Sequence, residues 1–318
     1  MINQIITGDA LSKLRKLENE SVDCIITSPP YYMLRDYGND KQIGLEKTPD
    51  EYIQRLMEIF DEARRVLKRK GTCFVVIADS YSGYKDGITD RIQTNEMKSA
   101  NQQIKKRPVL PRKTLMGIPE RFMIAMLDHG WICRNEIIWQ KPNVIPSSAK
   151  DRFTVDFEKV YFFVKSRNYY FNQLKEPMVT SDRSKIRGSK GVIGGPLNNG
   201  RRNSSGSGNP KQDSIGLKTY TGFNSRYKIP QDGMRNMRSV WTISNSRNQY
   251  DHYAMFSPKL VQRLMDAGCP QNGIVLDPFI GSGTVAIVAM ANHKNYVGIE
   301  LNSEYVNIAN QRIKEARS

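Results

Sequence analysis

Short apolar segments alternate with amphipathic helical segments along the chain, and this alternation restricts the fold more than any other feature. Strands are predicted over residues 2–6, 22–26, 72–78, 131–140, 160–165, 273–277 and 296–300. Helices are predicted after residue 9, from Pro49 to the segment 68–71, and over residues 118–130, 258–268, 284–292 and 303–317. Strands and helices in this order favour a doubly wound, mostly parallel α/β sheet.

Two segments without clear periodicity carry most of the positive charge. The 318 residues include 48 Lys and Arg against 32 Asp and Glu, a formal net charge of +16. Residues 82–114 contribute a surplus of five positive charges and residues 181–238 a surplus of nine, so 14 of the 16 lie in these insertions. Basic polar tracts are often solvated loops, and a membrane surface is a second polyanionic partner, but this concentration of charge favours a nucleic-acid clamp. The candidate nucleic-acid-binding residues are Lys105, Lys106, Arg107, Arg201 and Arg202.

The sequence does not indicate metal, disulfide or membrane chemistry. The four cysteines, at positions 24, 73, 133 and 269, are far apart, and the chain has three scattered histidines. Reduced thiols and no metal are therefore expected. No apolar run reaches the length of a transmembrane helix, and the first residues lack a secretory signal pattern. We expect a cytoplasmic protein without membrane contact.

The segment GIVLDPFIGSGTVAIVAM, residues 273–290, predicts a buried strand, a glycine-rich turn and a helix. Glycines at such a turn let the backbone approach a ligand, and the helix N-terminus directs N–H groups toward it. Glu300 ends the next strand, where a carboxylate can accept hydrogen bonds from ribose hydroxyls. The pattern also fits a nicotinamide dinucleotide fingerprint, so it predicts an adenosine-type ligand without identifying it. The candidate ligand-binding residues are Asp277, Pro278, Phe279, Gly281, Ser282, Gly283, Thr284 and Glu300.

Two prolines follow the apolar strand 22–26, in the order Thr27-Ser28-Pro29-Pro30-Tyr31. Proline fixes φ and donates no backbone hydrogen bond, so the carbonyls of Ser28 and Pro29 are left to accept from a substrate, and Tyr31 offers a flat face to a base or a cation. A purely structural edge turn is the alternative. Ligands gather beyond the carboxyl ends of parallel strands, so this turn should face the glycine loop across one crevice if the two strands are neighbours.

Together these motifs resemble those of S-adenosylmethionine-dependent DNA amino-methyltransferases of the β group, in which the catalytic motif precedes the cofactor motif. The catalytic motif corresponds to residues 27–31 and the cofactor loop to residues 277–284. Residues 252–260 resemble the element before the cofactor strand, with Ser257 where proline is usual. The resemblance implies a Rossmann-like methyltransferase sheet with circularly permuted motif order, and S-adenosylmethionine as cofactor. It adds Asp9, Ala10 and Thr27 to the cofactor-binding residues.

The implied reaction is direct, in-line transfer of a methyl group to an exocyclic amine of a base that has been flipped out of the duplex. The catalytic residues would be Ser28, Pro29, Pro30 and Tyr31. The aromatic of EIIWQKPN, residues 136–143, is Trp139, which resembles a residue that packs near the target base in this family. Tyr31 and Trp139 are therefore the candidates for stacking on the base, although Trp139 fits a strand core residue equally well.

In this family, serine before Pro-Pro accompanies cytosine N4, whereas aspartate or asparagine accompanies adenine N6. The resemblance therefore predicts cytosine N4, with adenine N6 as the alternative. Methylation at cytosine C5 requires a cysteine nucleophile, and the sequence contains no Pro-Cys dipeptide. An RNA methyltransferase and a non-catalytic nucleic-acid-binding module are further alternatives.

Three functional regions are predicted. Residues 1–164 would form the catalytic half of the methyltransferase core, residues 165–238 a basic target-recognition insertion, and residues 239–318 the cofactor-binding half. Double-stranded DNA is the expected partner, within a bacterial or phage-encoded restriction-modification system. The sequence leaves open the recognised DNA site, the existence of a cognate endonuclease and the formation of a homodimer.

Overall fold

A computed structural model describes residues 2–34, 41–83, 110–178, 232–245 and 256–317. The chain divides into two compact units, one formed by Met1–Asn172 with Arg238–Ser318 and the other by Gln173–Met237. The functional division predicted at residues 164 and 238 stays a prediction, because a compact unit does not by itself carry a function.

Ten strands and six helices lie within the described ranges. The strands are β1 (Gln4–Thr7), β2 (Val22–Thr27), β3 (Leu67–Ile77), β4 (Ile132–Gln140), β5 (Phe157–Val164), β6 (Lys175–Pro177), β7 (Met234–Asn236), β8 (Val240–Thr242), β9 (Ile274–Asp277) and β10 (Asn295–Glu300). The helices are α1 (Ala10–Leu14), α2 (Pro49–Val66), α3 (Ile118–Asp128), α4 (Pro258–Gly268), α5 (Thr284–Ala291) and α6 (Ser303–Glu315). The predicted alternation of strands and helices is confirmed.

Eight of the strands form one sheet, in the order β1-β10-β9-β2-β3-β5-β4-β8. The first five of these are mutually parallel. Strand β5 runs antiparallel to both of its neighbours, and β8 is parallel to β4. The predicted doubly wound, mostly parallel sheet is therefore confirmed, and the carboxyl ends of β2 and β9 meet at one edge, together with the amino end of β5.

The junction between α2 and β3 differs from the prediction. The predicted N-terminal capping is present, since Thr48 Oγ1 accepts from Glu51 N at 3.1 Å and the Glu51 carboxylate accepts from Thr48 N. The predicted end at residues 68–71 is wrong, because those residues already belong to β3. Leu67 is extended and pairs with Val22, and the Lys68 ammonium lies 2.8 Å from the Asp23 carboxylate. The chain therefore passes from helix to strand without a loop.

The second unit contains a short antiparallel pair of strands. Lys175 pairs with Asn236 and Pro177 with Met234 across β6 and β7. Two ion pairs join the same segments, Lys175 with Asp232 at 2.9 Å and Arg235 with Glu176 at 2.8 Å. These contacts bring together the two ends of the predicted basic insertion.

Membrane-spanning helices and metal-ligand clusters are absent from the part of the chain that the structure describes. Its helices include none of the length and apolarity needed to cross a bilayer, and its His, Cys, Asp and Glu residues form no group of three that could hold a metal ion. All four cysteines are free, and burial raises the pKa of each thiol above its usual range.

Candidate active site

A cavity of about 410 Å³ opens at the carboxyl edge of the parallel strands, a volume within the range of small-molecule sites. It is lined by the proline turn after β2 and by the glycine loop after β9, so the predicted convergence of these motifs is found. The sequence-predicted residues on its wall are Asp9, Ala10, Ser28, Pro29, Pro30, Tyr31, Trp139, Asp277, Pro278, Phe279, Gly281, Ser282, Thr284 and Glu300.

A buried hydrogen bond joins the two motifs. Thr27 Oγ1 donates to Asp277 Oδ1 at 2.6 Å, and the same oxygen accepts from Phe279 N at 3.0 Å. Strands β2 and β9 are neighbours, with Ile25 opposite Leu276, and this pairing places the two side chains together. Burial raises the pKa of Asp277 to about 7. The carboxyl therefore fixes the path of the glycine loop relative to the proline turn.

We expect Asp277→Asn to stabilise the protein in alkaline solution. Because the folded pKa lies above the ordinary 3.8, the folded state binds the proton more tightly, and stability is lost as the pH rises from 3.8 to about 7. Asparagine keeps an oxygen for Thr27 and Phe279 without this loss. The unfolding temperature at pH 8 should rise by roughly 2 °C or more, and the difference from wild type should narrow toward pH 5. Thermal unfolding at both pH values checks this, with exposed Asp128→Asn as the control; equal unfolding temperatures at pH 8 would contradict it.

The glycine loop owes its shape to two left-handed residues. Gly281 has φ of 51° and Gly283 has φ of 85°, which side chains rarely adopt. A Cβ at Gly281 would meet the Phe279 carbonyl at an ordinary contact distance of 4.0 Å, whereas a Cβ at Gly283 would lie 3.0 Å from Ala309 Cβ on α6. Arg312 holds the loop by donating to the carbonyl and the hydroxyl of Ser282, at 2.5 and 2.8 Å. Gly281 thus lies uncrowded on the cavity wall, while Gly283 lets α6 pack closely.

Glu300 lies at the end of β10 with each carboxylate oxygen already oriented by the backbone. Oε2 accepts from Gly281 N at 2.9 Å, and Oε1 accepts from Asn302 N at 2.8 Å. Burial raises its pKa above the ordinary value. A carboxylate has about four acceptor positions, so lone pairs remain for ribose hydroxyls. Asp9 is also engaged, because its Oδ1 caps α1 by accepting from the Ser12 amide and hydroxyl.

The proline turn contains a chain of hydroxyl groups. Ser28 Oγ donates to Tyr31 Oη at 3.2 Å, and Tyr31 Oη donates to Glu158 Oε2 at 2.8 Å. The carbonyl of Pro30 accepts from the hydroxyl of buried Tyr52 at 2.8 Å. Burial, together with the nearby Glu158 charge, raises the pKa of Tyr31 well above its ordinary value. The turn is therefore held by hydrogen bonds to Glu158 and to Tyr52.

Trp139 is less available than its predicted stacking role requires. Its side chain is 3 % exposed, and Nε1 donates to the carbonyl of Ile243 at 2.9 Å. The Lys141 ammonium lies 4.3 Å from the centre of its ring system. Trp139 thus packs as a strand residue at the cavity wall, and stacking on a base stays a prediction.

Some predicted residues lie elsewhere. Thr27 and Gly283 are not on the cavity wall, because Thr27 is fully buried against Asp277 and Gly283 faces α6. Both support the site without lining it. The predicted DNA-binding residues Lys105, Lys106, Arg107, Arg201 and Arg202 lie outside the described residues.

Several residues on the cavity wall were not predicted from the sequence, and they include Lys141, Glu158, Asn245 and Phe256. Glu158 reaches the cavity because β5 is antiparallel, so that its amino end lies at the edge where the parallel strands end. The signal available was a charged residue at the start of an otherwise apolar strand. Without knowledge of the strand direction, that signal did not point to the site.

Two solved structures share this fold over 98 % of the chain. The PvuII DNA methyltransferase (cytosine-N4-specific) is 17 % identical, with a TM-score of 0.59 and 90 % of that chain covered. TTHA0409 from Thermus thermophilus, in complex with S-adenosyl-L-methionine, is 19 % identical, with a TM-score of 0.56 and 93 % covered. The fold is therefore that of Rossmann-like methyltransferases.

Comparison of sequences identifies the family. A family model described as DNA methylase, of the N6/N4 methyltransferase type, matches residues 22–311. The type II methyltransferase M.Cfr9I of Citrobacter freundii is 36 % identical over 98 % of this chain and 87 % of its own length. M.XycI of Xanthomonas campestris pv. cyanopsidis is 34 % identical over 99 % of this chain and 88 % of its own. The chain belongs to the N6/N4 DNA methylase family, whose members are S-adenosylmethionine-dependent DNA methyltransferases.

Proposed function

We propose that the protein transfers a methyl group from S-adenosylmethionine to the exocyclic N4 of cytosine in duplex DNA, with adenine N6 as the alternative acceptor. The observation that carries this proposal is that Ser28 and the residues of the glycine loop line the same cavity. A methyl donor and an amine can react directly only when they are held in one space with their reacting atoms aligned.

The residues on the wall suit this cofactor. The position beside Gly281, where a Cβ would meet the Phe279 carbonyl only at 4.0 Å, and the oriented carboxylate of Glu300 match an adenosine with free ribose hydroxyls. When bound, S-adenosylmethionine supplies an electrophilic methyl group.

Ser28 and Pro29 would act on the amine. The lone pair of an exocyclic amine is delocalised into the base ring. The Ser28 oxygen and the Pro29 carbonyl can each accept one of its hydrogens, and this localises the lone pair on nitrogen as the bond to the methyl carbon forms and the sulfur–methyl bond of the donor breaks. The methylated amine then loses one proton to solvent, which leaves a neutral base. Acceptors that are fixed before the reaction stabilise the transition state without reorganisation. The proline turn therefore supplies positioned acceptors instead of a nucleophile.

The target base must leave the duplex to reach this cavity, at a cost of a few kcal/mol. Contact with Tyr31 and Trp139 would offset part of that cost. The basic segments 82–114 and 181–238 would hold the DNA backbone, where Lys and Arg contacts supply affinity but not sequence specificity.

Analysis of modified nucleosides tests the proposal. A plasmid propagated with the gene, then digested to nucleosides, should contain N4-methylcytosine, and single-molecule sequencing should map it to one recurring site. N6-methyladenine instead would establish the alternative acceptor. Purified protein with tritiated S-adenosylmethionine should label duplex DNA and not RNA. Cofactor binding without label in either nucleic acid would leave only a binding module.

We expect replacement of Arg201 and Arg202 by alanine to weaken DNA binding and to lower the slope of log affinity against log salt by about two, since each phosphate contact contributes about 0.9. Fluorescence anisotropy over a series of salt concentrations measures the slope. The charge-matched control replaces Arg15 and Lys16, two consecutive exposed residues, by alanine. An unaltered slope for Arg201 and Arg202 would show that their segment is a solvated loop.

We also place this activity in the cytoplasm, as the protective half of a restriction-modification system. Plasmid modified in the cell should then resist an endonuclease that cleaves the mapped site, while plasmid from a Ser28→Ala strain should be cut. Cleavage of both plasmids would show that the methylation does not protect the DNA from that endonuclease.

A further inference from the structure

The hydroxyl chain of the proline turn ends at an ion pair between Glu158 and Lys141. Glu158 Oε2 accepts from Tyr31 Oη, and Glu158 Oε1 is bound by the Lys141 ammonium. Both charged side chains are only 15 % exposed, and both line the cavity. The pair is thus part of the wall against which the acceptor amine would lie.

The backbone holds this pair in place. Strands β4 and β5 pair Trp139 with Glu158, and Lys141 N donates to the carbonyl of Asp156 at 2.7 Å. Sites carried on strands are positioned more rigidly than sites carried on loops. Glu158 is therefore a fixed acceptor toward Tyr31.

The hydrogen bonds of the chain can run in only one direction while Glu158 is ionised. A carboxylate accepts but does not donate, so Tyr31 must donate to it. The raised pKa of Tyr31 keeps the phenol protonated. Once its proton is turned to Glu158, the Tyr31 oxygen accepts from Ser28. The proton of Ser28 is then directed away from the substrate, and its lone pairs are left to accept.

We propose that Glu158, held by Lys141, is a positioning residue that acts through Tyr31 to fix Ser28 as a hydrogen-bond acceptor for the target amine. A serine hydroxyl is both a donor and an acceptor, and a freely rotating one would spend part of its time presenting its proton to the amine. The Glu158–Tyr31 link removes that state. This inference rests on the proposed function, because it assigns the orientation of Ser28 to methyl transfer.

Two substitutions test the link in different ways. Tyr31→Phe removes the acceptor of the Ser28 proton and leaves the Glu158–Lys141 pair intact. Glu158→Gln reverses the chain, because the ammonium of Lys141 takes the amide oxygen and the amide NH₂ then faces Tyr31. Tyr31 must accept from it and turn its own proton to Ser28. The control is Glu136→Gln, which removes a carboxylate from Lys159 at 2.7 Å, outside the cavity wall.

With purified full-length protein, tritiated S-adenosylmethionine and duplex plasmid, each test variant should lower kcat by about tenfold or more, the effect of losing one charge-assisted hydrogen bond. The Kd for the cofactor should stay within about twofold of wild type. The kcat of the double variant should lie within about threefold of the kcat of the slower single variant, because both changes interrupt the same chain of hydrogen bonds. The Glu136→Gln control should match wild type.

Wild-type kcat in both single variants would overturn the inference, and so would effects that multiply in the double variant. A loss of kcat in Glu158→Gln alone, with Tyr31→Phe unaffected, would also overturn it, since Glu158 would then not act through Tyr31. Absence of methyl transfer by the wild-type protein would instead contradict the proposed function.

Discussion

Ser28→Ala is expected to abolish most of the methyl transfer while leaving cofactor binding intact. The substitution removes one acceptor of the amine hydrogens and the first member of the hydroxyl chain. Removing a single preorganised group that acts in the transition state lowers kcat by about 10²–10³-fold. The Ser28 hydroxyl donates to Tyr31, whereas the predicted cofactor-binding residues lie mainly on the glycine loop and at Glu300, so the Kd for S-adenosylmethionine should change little. Steady-state transfer of tritium to DNA gives kcat, and calorimetry gives the cofactor Kd.

Ser21→Ala is the matched control, because Ser21 precedes β2 at the opposite end of the strand and donates to the carbonyl of Glu18. This variant should have wild-type turnover. If Ser28→Ala kept turnover within a fewfold of wild type, the amine would not depend on this hydroxyl. A parallel loss of cofactor affinity would show that the substitution had disturbed the cavity instead.

Glu300→Ala is expected to weaken cofactor binding first. The substitution removes the carboxylate that would accept from the ribose hydroxyls, and the backbone N–H groups of Gly281 and Asn302 would lose their acceptor. Hydrogen bonds to charged groups contribute about 1.5–3 kcal/mol each, so the Kd for S-adenosylmethionine should rise by roughly 10²-fold or more. With saturating cofactor, turnover should recover more fully than in Ser28→Ala.

Glu304→Ala serves as the control, since Glu304 is an exposed acid in the first turn of α6 and does not line the cavity. Its cofactor Kd should equal that of wild type. An unchanged Kd in Glu300→Ala would show that the ribose lies elsewhere, whatever the effect on turnover.

The sequence was sufficient to predict the sheet and the meeting of its two motifs. Thr27 and Asp277 are 250 positions apart, yet their side chains bond at 2.6 Å. The prediction succeeded because buried parallel strands have a plain apolar signature, and because their carboxyl ends share one edge. Proline and glycine then marked the turns at which each strand stops.

Other features depended on tertiary pairing that no local pattern reveals. The run of basic residues after α2 suggested a helix end, but Lys68 belongs to β3 because Asp23 on β2 neutralises it. Glu158 was not identified because its place follows from the antiparallel direction of β5. The contacts of Thr27 with Asp277 and of Gly283 with Ala309 also depend on tertiary packing, and the cofactor-binding roles of Thr27 and Gly283 stay predictions.

The pairing of β2 with β9 and of β1 with β10 also sets the order in which the sheet can form during synthesis. Translation proceeds from the amino end, so β2 emerges from the ribosome long before residues 274–277 exist to cover its flank. Until then β2 is an open edge, ready to pair with other chains. A chain cut short before β9 would therefore have the proline turn but would lack the glycine loop and Glu300, which complete the cavity wall.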